Sequence, residues 1–152
     1  MNGRRRPARR RFRAALQWNR LVLIGLEELA RVQVQALSDT HAVQGLRNLI
    51  DQTAESIGDV TILLRREGSR PWPLAGLTRG ALWAAGCLVA SFGAGISLAL
   101  DRWVIERWLR ACDRVVRRIP VDDGITARAL EAVRDREAGC LPALVASHSG
   151  GT

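Results

Sequence analysis

The sequence predicts an all-α protein of about five helices. The chain has 152 residues, of which 47% are apolar, and this size fits one compact unit. Aromatic residues make up only 5% of the chain, and tyrosine is absent. Val, Ile and Thr do not form the series of alternating runs that a sheet of half-buried strands would need. Because apolar side chains instead recur at helical spacing, we expect helices to build the core.

The N-terminal residues 1–13 are predicted to form a disordered basic arm. Residues 1–20 contain eight arginines and no acid, whereas residues 21–152 contain fifteen of each charge, so the whole net charge of +8 lies at the N-terminus. Arginines beside a membrane segment attract anionic headgroups, at about 1 kcal/mol each. The predicted lipid-contacting residues are Arg4, Arg5, Arg6, Arg9, Arg10, Arg11 and Arg13.

The basic arm has other interpretations. Nucleic acid is a disfavoured partner because neither an aromatic platform nor a recognition helix accompanies the arginines. A secretory signal is not expected because the apolar run over residues 21–26 is short and ends at Glu27. A mitochondrial transit peptide would also be Arg-rich, and would place the protein at the mitochondrial inner membrane. We expect the inner (cytoplasmic) membrane instead, with the arm on the cytoplasmic side.

The helical membrane-associated domain is predicted to cover residues 14–144 and to begin with two helices. The first covers residues 14–37. The second covers residues 42–67, where apolar side chains form a stripe at helical spacing. Thr53 fills one position of that stripe, and Ser56 lies on the same side. Both hydroxyl side chains are therefore predicted to face the core.

Residues 80–100 are the strongest local signal in the chain. These 21 residues contain no charge and match the ~20 residues with which a helix crosses a bilayer core. Trp83 and Trp103 lie toward the two ends, where amphipathic rings meet headgroups. We therefore predict one membrane-inserted helix. Arginines flank both ends, so a full span and insertion into one leaflet both stay open, as does a buried helix of a soluble bundle.

Two further helices are predicted after the apolar segment. The fourth helix covers residues 101–119 and has one apolar and one charged side. The fifth covers residues 125–141 and ends before Pro142. Residues 145–152 are predicted to be a disordered tail.

Two of the predicted helices each present a polar pair at i,i+3 spacing on an apolar face. The pairs are Thr53 with Ser56 and Glu137 with Cys140. In di-iron bundles, Glu-x-x-His pairs use this spacing to aim two ligands at one metal pair. Hydroxyl groups are poor substitutes for carboxylates and imidazoles. The chain has only two histidines, both predicted to lie outside the helices, so its ligand set is incomplete.

The order of elements resembles the demethoxyubiquinone hydroxylases, the ferritin-like di-iron enzymes of ubiquinone biosynthesis. In that family a Glu-x-x-His helix is followed by an Arg-Pro pair, an apolar membrane-binding helix, an acidic helix and a last Glu-x-x-His helix. The corresponding strings here are LIDQTAES, RREGSRP, ALWAAG with FGAGISLAL, and VRDREAGC. The resemblance covers about residues 21–144 and implies a ferritin-like helical bundle with one membrane-inserted helix.

Carried over residue by residue, the resemblance implies that the metal ligands have been lost. Thr53 and Ser56 stand at the first Glu and His, Glu137 stands at the later Glu, and Cys140 replaces its His. Glu106 corresponds to the mid-chain Glu, and no Glu of the first helix has a counterpart. These five residues are therefore degenerate ligand positions. We expect no di-iron centre and no catalytic residue.

The function expected from these patterns is that of a non-catalytic membrane-associated relative of the quinone-modifying hydroxylases. Such a protein would bind lipid or a quinone, or serve as an assembly partner for another protein or for a second copy of itself. The alternative is a single-span membrane anchor that recruits a protein or nucleic acid through its basic arm. An enzyme of the ubiquinone-biosynthesis hydroxylase type with a Glu/Cys metal site is the third hypothesis.

Overall fold

The computed structural model describes residues 5–38, 40–117, 119 and 123–149. Within these residues it contains five α-helices and no strand, which confirms the predicted fold class and number of helices. The helices are α1 (Arg5–Ala36), α2 (Thr40–Arg66), α3 (Ala75–Ala90), α4 (Ala94–Val116) and α5 (Gly124–Ser149).

Both ends of the helical region extend further than predicted. Helix α1 begins at Arg5, so most of the segment assigned to a disordered arm is helical backbone. Arginine and alanine are strong helix formers, and Pro7 is tolerated in a first turn, where the amide N–H groups have no helical partner. Helix α5 likewise continues through Pro142 to Ser149, into the segment assigned to a disordered tail. Arg4 lies outside the described residues.

The expected single helix over residues 80–100 is wrong. The segment breaks after Ala90, and α4 starts again at Ala94. Gly93 between them has φ +95°, a left-handed conformation that L side chains rarely adopt and that a helix cannot contain. The hydroxyl of Ser91 donates to the carbonyl oxygen of Leu88 at 2.5 Å, which satisfies one of the open carbonyls at the end of α3. None of the described helices combines the length and the hydropathy of a membrane span.

Helices α1, α2, α4 and α5 form an antiparallel bundle around two core clusters. Helix α1 packs on α2 and α4, and α5 packs on α2 and α4. One cluster contains Leu16 and Leu64, and the other, at the opposite end of the bundle, contains Leu46 and Ile105. Helix α3 lies outside this bundle and packs mainly against α1.

The contact between α3 and α1 depends on small residues. A Cβ atom built on Gly86 would lie 3.1 Å from Cβ of Val32, and one built on Gly25 would overlap Leu82. The loop before α3 is held by Gln17, which donates to the carbonyl oxygen of Arg70 at 2.6 Å and accepts from the backbone N–H of Trp72 at 3.0 Å. Helix α3 therefore runs parallel to α1, with its other side uncovered.

Candidate functional site

The two predicted polar pairs meet between α2 and α5. Thr53 donates from Oγ1 to Oε2 of Glu137 over 3.2 Å. Thr53, Ser56 and Glu137 are fully buried and Cys140 is 5% exposed. The i,i+3 spacing on each of two antiparallel helices therefore places all four side chains in one internal polar cluster.

Neighbouring side chains complete this cluster. Arg136 donates from Nη1 to Oγ of Ser56 at 3.3 Å and to Oδ2 of Asp59 at 2.8 Å. The thiol of Cys140 donates to Oε1 of Gln52 at 3.1 Å. Oε1 of Glu137 has no hydrogen-bond partner among the described residues. The cluster therefore holds one carboxyl group whose second oxygen is unsatisfied.

Burial controls the protonation of this cluster. It raises the pKa of Glu137, and the hydroxyls of Ser56 and Thr53 oppose this rise because they stabilise the carboxylate. Burial also raises the pKa of the Cys140 thiol to about 12, with a further contribution from Glu137. A thiol with this pKa is protonated at neutral pH, so Cys140 is poorly suited to metal binding or nucleophilic attack.

Glu106 lies apart from the other degenerate ligand positions. It accepts from Nε of Arg102 at 2.8 Å in an i,i+4 pair on α4, and 39% of its side chain is exposed. Within the described part of the chain, no group of three or more His, Cys, Asp and Glu side chains could hold a metal ion. His41 lies in the first turn of α2, and the side chain of His148 is outside the described atoms.

Thr53→Val tests the contribution of the internal cluster to stability. The substitution preserves shape and removes the hydroxyl that donates to Glu137, so we expect a loss of about 1–3 kcal/mol in the free energy of unfolding. The loss should be larger at pH 8 than at pH 5, since the hydroxyl stabilises the ionised form. Urea unfolding at both pH values measures it. Thr53→Ser keeps the hydroxyl, and its cost should not depend on pH; equal pH dependence in both variants would contradict this account.

A second internal polar cluster joins α1 to α4. Gln33 donates from Nε2 to Oδ1 of Asp101 and to the carbonyl oxygen of Ser97, both at 3.4 Å. All three residues are fully buried. Burial raises the pKa of Asp101 to about 8, and the hydrogen bond from Gln33 opposes the rise. Asp101 is therefore mostly a neutral acid at pH 7.

The unsatisfied atoms of this second cluster are complementary. Oδ2 of Asp101 and Oε1 of Gln33 have no hydrogen-bond partner among the residues that the structure describes. A neutral carboxylic acid carries a proton that it can donate to such an amide oxygen. This cluster was not predicted from the sequence, which placed Asp101 only at the start of the fourth helix and assigned no role to its side chain. Gln33 was the available signal, since it follows Leu26 and Ala30 on the same face of α1.

The exposed side of α3 continues across the turn into α4 as one apolar face. We define this apolar face by its large exposed side chains, which are 42–75% accessible: Leu74, Leu77, Trp83, Leu88, Phe92 and Ile96. From residue 80 to residue 100 it contains no charge. Scattered exposed apolar residues are ordinary, whereas several large ones close together in the chain are typical of interaction surfaces.

Those predicted lipid-contacting arginines that the structure describes lie at one end of the bundle. Arg9, Arg10 and Arg11 are exposed, and Arg13 pairs with Glu67 over 3.9 Å. The backbone of Arg5 and Arg6 belongs to α1, but their side chains are not described. This end also contains the C-terminus of α2, where Arg66 lies 4.0 Å from Asp123. In the tertiary structure, arginines at the C-termini of α2 and α4 therefore lie at the same end of the bundle as those of α1. We call this end of the bundle the basic end.

No protein-family model, curated protein or solved structure matches this chain. The fold and its surfaces define an all-α helical bundle with one peripheral apolar helix. The resemblance to the demethoxyubiquinone hydroxylases stays a prediction.

Proposed function

We propose that the protein binds a membrane surface, inserts its apolar face into one leaflet, and acts there as a non-catalytic lipid-binding protein. The apolar face of α3 and the start of α4 carries this proposal, because six of the eleven large exposed apolar side chains of the described structure lie on it. An amphipathic helix lying in the plane of the interface buries such a face. Helix α3 has 16 residues and a length of about 24 Å, which suits this orientation better than crossing a core of about 30 Å.

The exposed side chains of the apolar face can supply a substantial free energy of binding to a membrane. Full burial of one large aliphatic or aromatic side chain contributes about 1.5–3 kcal/mol. Leu77, Leu88 and Phe92 are 75%, 64% and 63% exposed, so each has about 1–2 kcal/mol of this contribution still available. Three such side chains together supply roughly 3–6 kcal/mol before the other residues of the face are added.

The position of the basic end supports contact with anionic lipid. Helix α3 starts beside this end, since Gln17 of α1 holds Trp72 and Arg13 pairs with Glu67. When the apolar face enters a leaflet along its length, arginines at the start of α1 reach the headgroups. Each contributes about 1 kcal/mol on an anionic surface.

The packing of α5 favours this proposal over the single-span anchor. An anchor would separate residues 1–79 from residues 101–152 by a bilayer. In the structure α5 packs against α2, and Thr53 donates a hydrogen bond to Glu137 across that contact. Insertion of α3 into one leaflet keeps both halves on the same side. The internal cluster around Glu137 then joins α2 to α5 within the bundle. A lipid or a quinone is the ligand class that suits the apolar surface.

Vesicle flotation tests the proposal with the full chain. The wild type should float with vesicles of phosphatidylcholine and bind more tightly when phosphatidylglycerol is added at low salt. Added salt should abolish the additional affinity that phosphatidylglycerol gives, and it should leave the affinity that comes from apolar contacts. Arg10→Gln should lower the additional affinity about fivefold, whereas Arg47→Gln, an exposed arginine near the other end of the bundle, should not. Absence of flotation with every vesicle would overturn the proposal.

A further inference from the structure

We propose that the groove between α1 and α3 binds the zwitterionic headgroup of a phospholipid, with the phosphate on Arg79 and the ammonium on Glu28. This inference rests on the proposed membrane function and assigns that surface a specific ligand site.

The groove is formed by one stripe from each helix. Glu28, Arg31, Val32 and Gln35 follow each other at i, i+3, i+4 and i+7 on α1, so they share one face of that helix. Arg79 and Trp83 form the facing i,i+4 pair on α3. The space between them is about 420 Å³, within the range of ligand sites. It is open to solvent, so a headgroup can enter from the side.

The groove contains side chains of both charges, and only some of them form close ion pairs within the protein. Arg31 is held by Glu27 at 2.6 Å, which neutralises one guanidinium within α1. In the described part of the chain, neither Glu28 nor Arg79 has an ion-pair partner within 4.0 Å, although the carboxylate of Glu28 attracts Arg31 at longer range. Burial lowers the pKa of the Arg20 guanidinium, and the nearby positive charge of Arg79 lowers it further, so two positive charges face each other on this side. An anionic group beside Arg79 would relieve their repulsion.

A zwitterion complements the opposite charges of Glu28 and Arg79 better than a simple ion does. A free anion on Arg79 would be repelled by the carboxylate of Glu28, and a free cation on Glu28 would be repelled by the guanidinium of Arg79. A phosphodiester joined to an ammonium offers each charged side chain its opposite. Trp83 lines the same groove and is 54% exposed, and its indole ring is the aromatic group to which an ammonium binds best.

The groove also lies at the depth that a headgroup requires. Trp83 belongs both to the groove and to the apolar face, so the groove opens beside that face. When the apolar face is within the acyl region, the mouth of the groove is at the boundary with water. The acyl chains of a lipid held there can run along the exposed side of α3.

Titration with glycerophosphoethanolamine, which has no acyl chains, tests the site. The readout is the ¹H–¹⁵N signal of the Trp83 indole, identified by its loss in Trp83→Phe. We expect a saturable shift in the wild type and at least tenfold weaker binding in Arg79→Gln and in Glu28→Gln. Arg102→Gln, an exposed arginine on α4, is the matched control and should bind as the wild type does. Inorganic phosphate should bind at least tenfold more weakly than the zwitterion.

Two outcomes would overturn the inference: wild-type binding in both groove variants, or equal affinity for inorganic phosphate. Circular dichroism confirms that each variant is folded. Flotation separates this result from the proposed function. If the wild type floats but the groove variants bind the probe normally, only the headgroup site is wrong. If the wild type does not float but binds the probe through Arg79 and Glu28, the site exists and the membrane function is wrong.

Discussion

Asp101→Asn is expected to stabilise the protein by an amount on the order of 4 kcal/mol at pH 7. Burial raises the pKa of Asp101 from 3.8 to about 8, so at pH 7 the folded chain must take up a proton that the unfolded chain does not hold. Asparagine avoids this cost. Its amide can also donate to Oε1 of Gln33 and accept from Nε2, which satisfies the atoms left open beside it. Chemical denaturation at a series of pH values measures the difference.

The sign of the pH dependence follows from the direction of this shift. Because the pKa of Asp101 is higher in the folded state, that state binds more protons between about pH 4 and pH 8. The contribution of Asp101 to stability is therefore greatest below pH 4, falls as the pH rises through this window, and levels off above pH 8. The advantage of Asp101→Asn should shrink to about 1 kcal/mol at pH 4.5.

Asp51→Asn is the matched control for this prediction. Asp51 is exposed on α2, and its replacement should change the free energy of unfolding by less than about 0.5 kcal/mol at every pH. If Asp101→Asn is destabilising at pH 7, or if its effect is independent of pH, the assignment of a buried neutral acid between α1 and α4 is wrong.

Leu88→Glu is expected to weaken vesicle binding at least tenfold. Leu88 is 64% exposed on the apolar face, so the variant loses about 1–2 kcal/mol of apolar burial in the leaflet. It also places a carboxylate where headgroups give way to acyl chains, which adds a desolvation cost. The combined loss exceeds the 1.4 kcal/mol that corresponds to a factor of about ten in affinity. Flotation with phosphatidylcholine vesicles measures the change.

Ile62→Glu provides a closely matched comparison for Leu88→Glu. Ile62 is 63% exposed and also lies in a helix, but it belongs to α2 and lies outside the apolar face. The two variants therefore share the change in charge and in apolar surface. Ile62→Glu should bind phosphatidylcholine vesicles as the wild type does. Equal losses in the two variants would show that the apolar face has no particular role.

Much of the fold follows from local pattern. Helices α1, α2, α4 and α5 are visible in the sequence because apolar residues recur at helical spacing over long stretches. The same periodicity placed Thr53, Ser56, Glu137 and Cys140 on inward faces, where the structure has them buried. Such positions are predictable because each depends on residues within two turns of the same helix.

The break in the apolar segment could not be predicted from helical periodicity. Residues 80–100 have the length and composition of one helix, and nothing in their order distinguishes Gly93 from the other glycines. The turn forms where it does because α3 packs along α1 through Gly86, while α4 must turn back to bury Leu98 and Ile105 in the bundle. Gly93 can take the positive φ that this reversal requires.

Asp101 shows most directly where local reasoning ends. A carboxylate after an apolar run normally indicates the point where a helix reaches water. Asp101 is buried because α4 packs on α1, where Gln33, 68 residues earlier in the chain, donates to it. The groove between Glu28 and Arg79 depends in the same way on two helices that are distant in sequence. Helical periodicity shows which face of each helix is apolar. It does not show which other helix packs against that face. Only the tertiary structure therefore defines the second polar cluster and the groove.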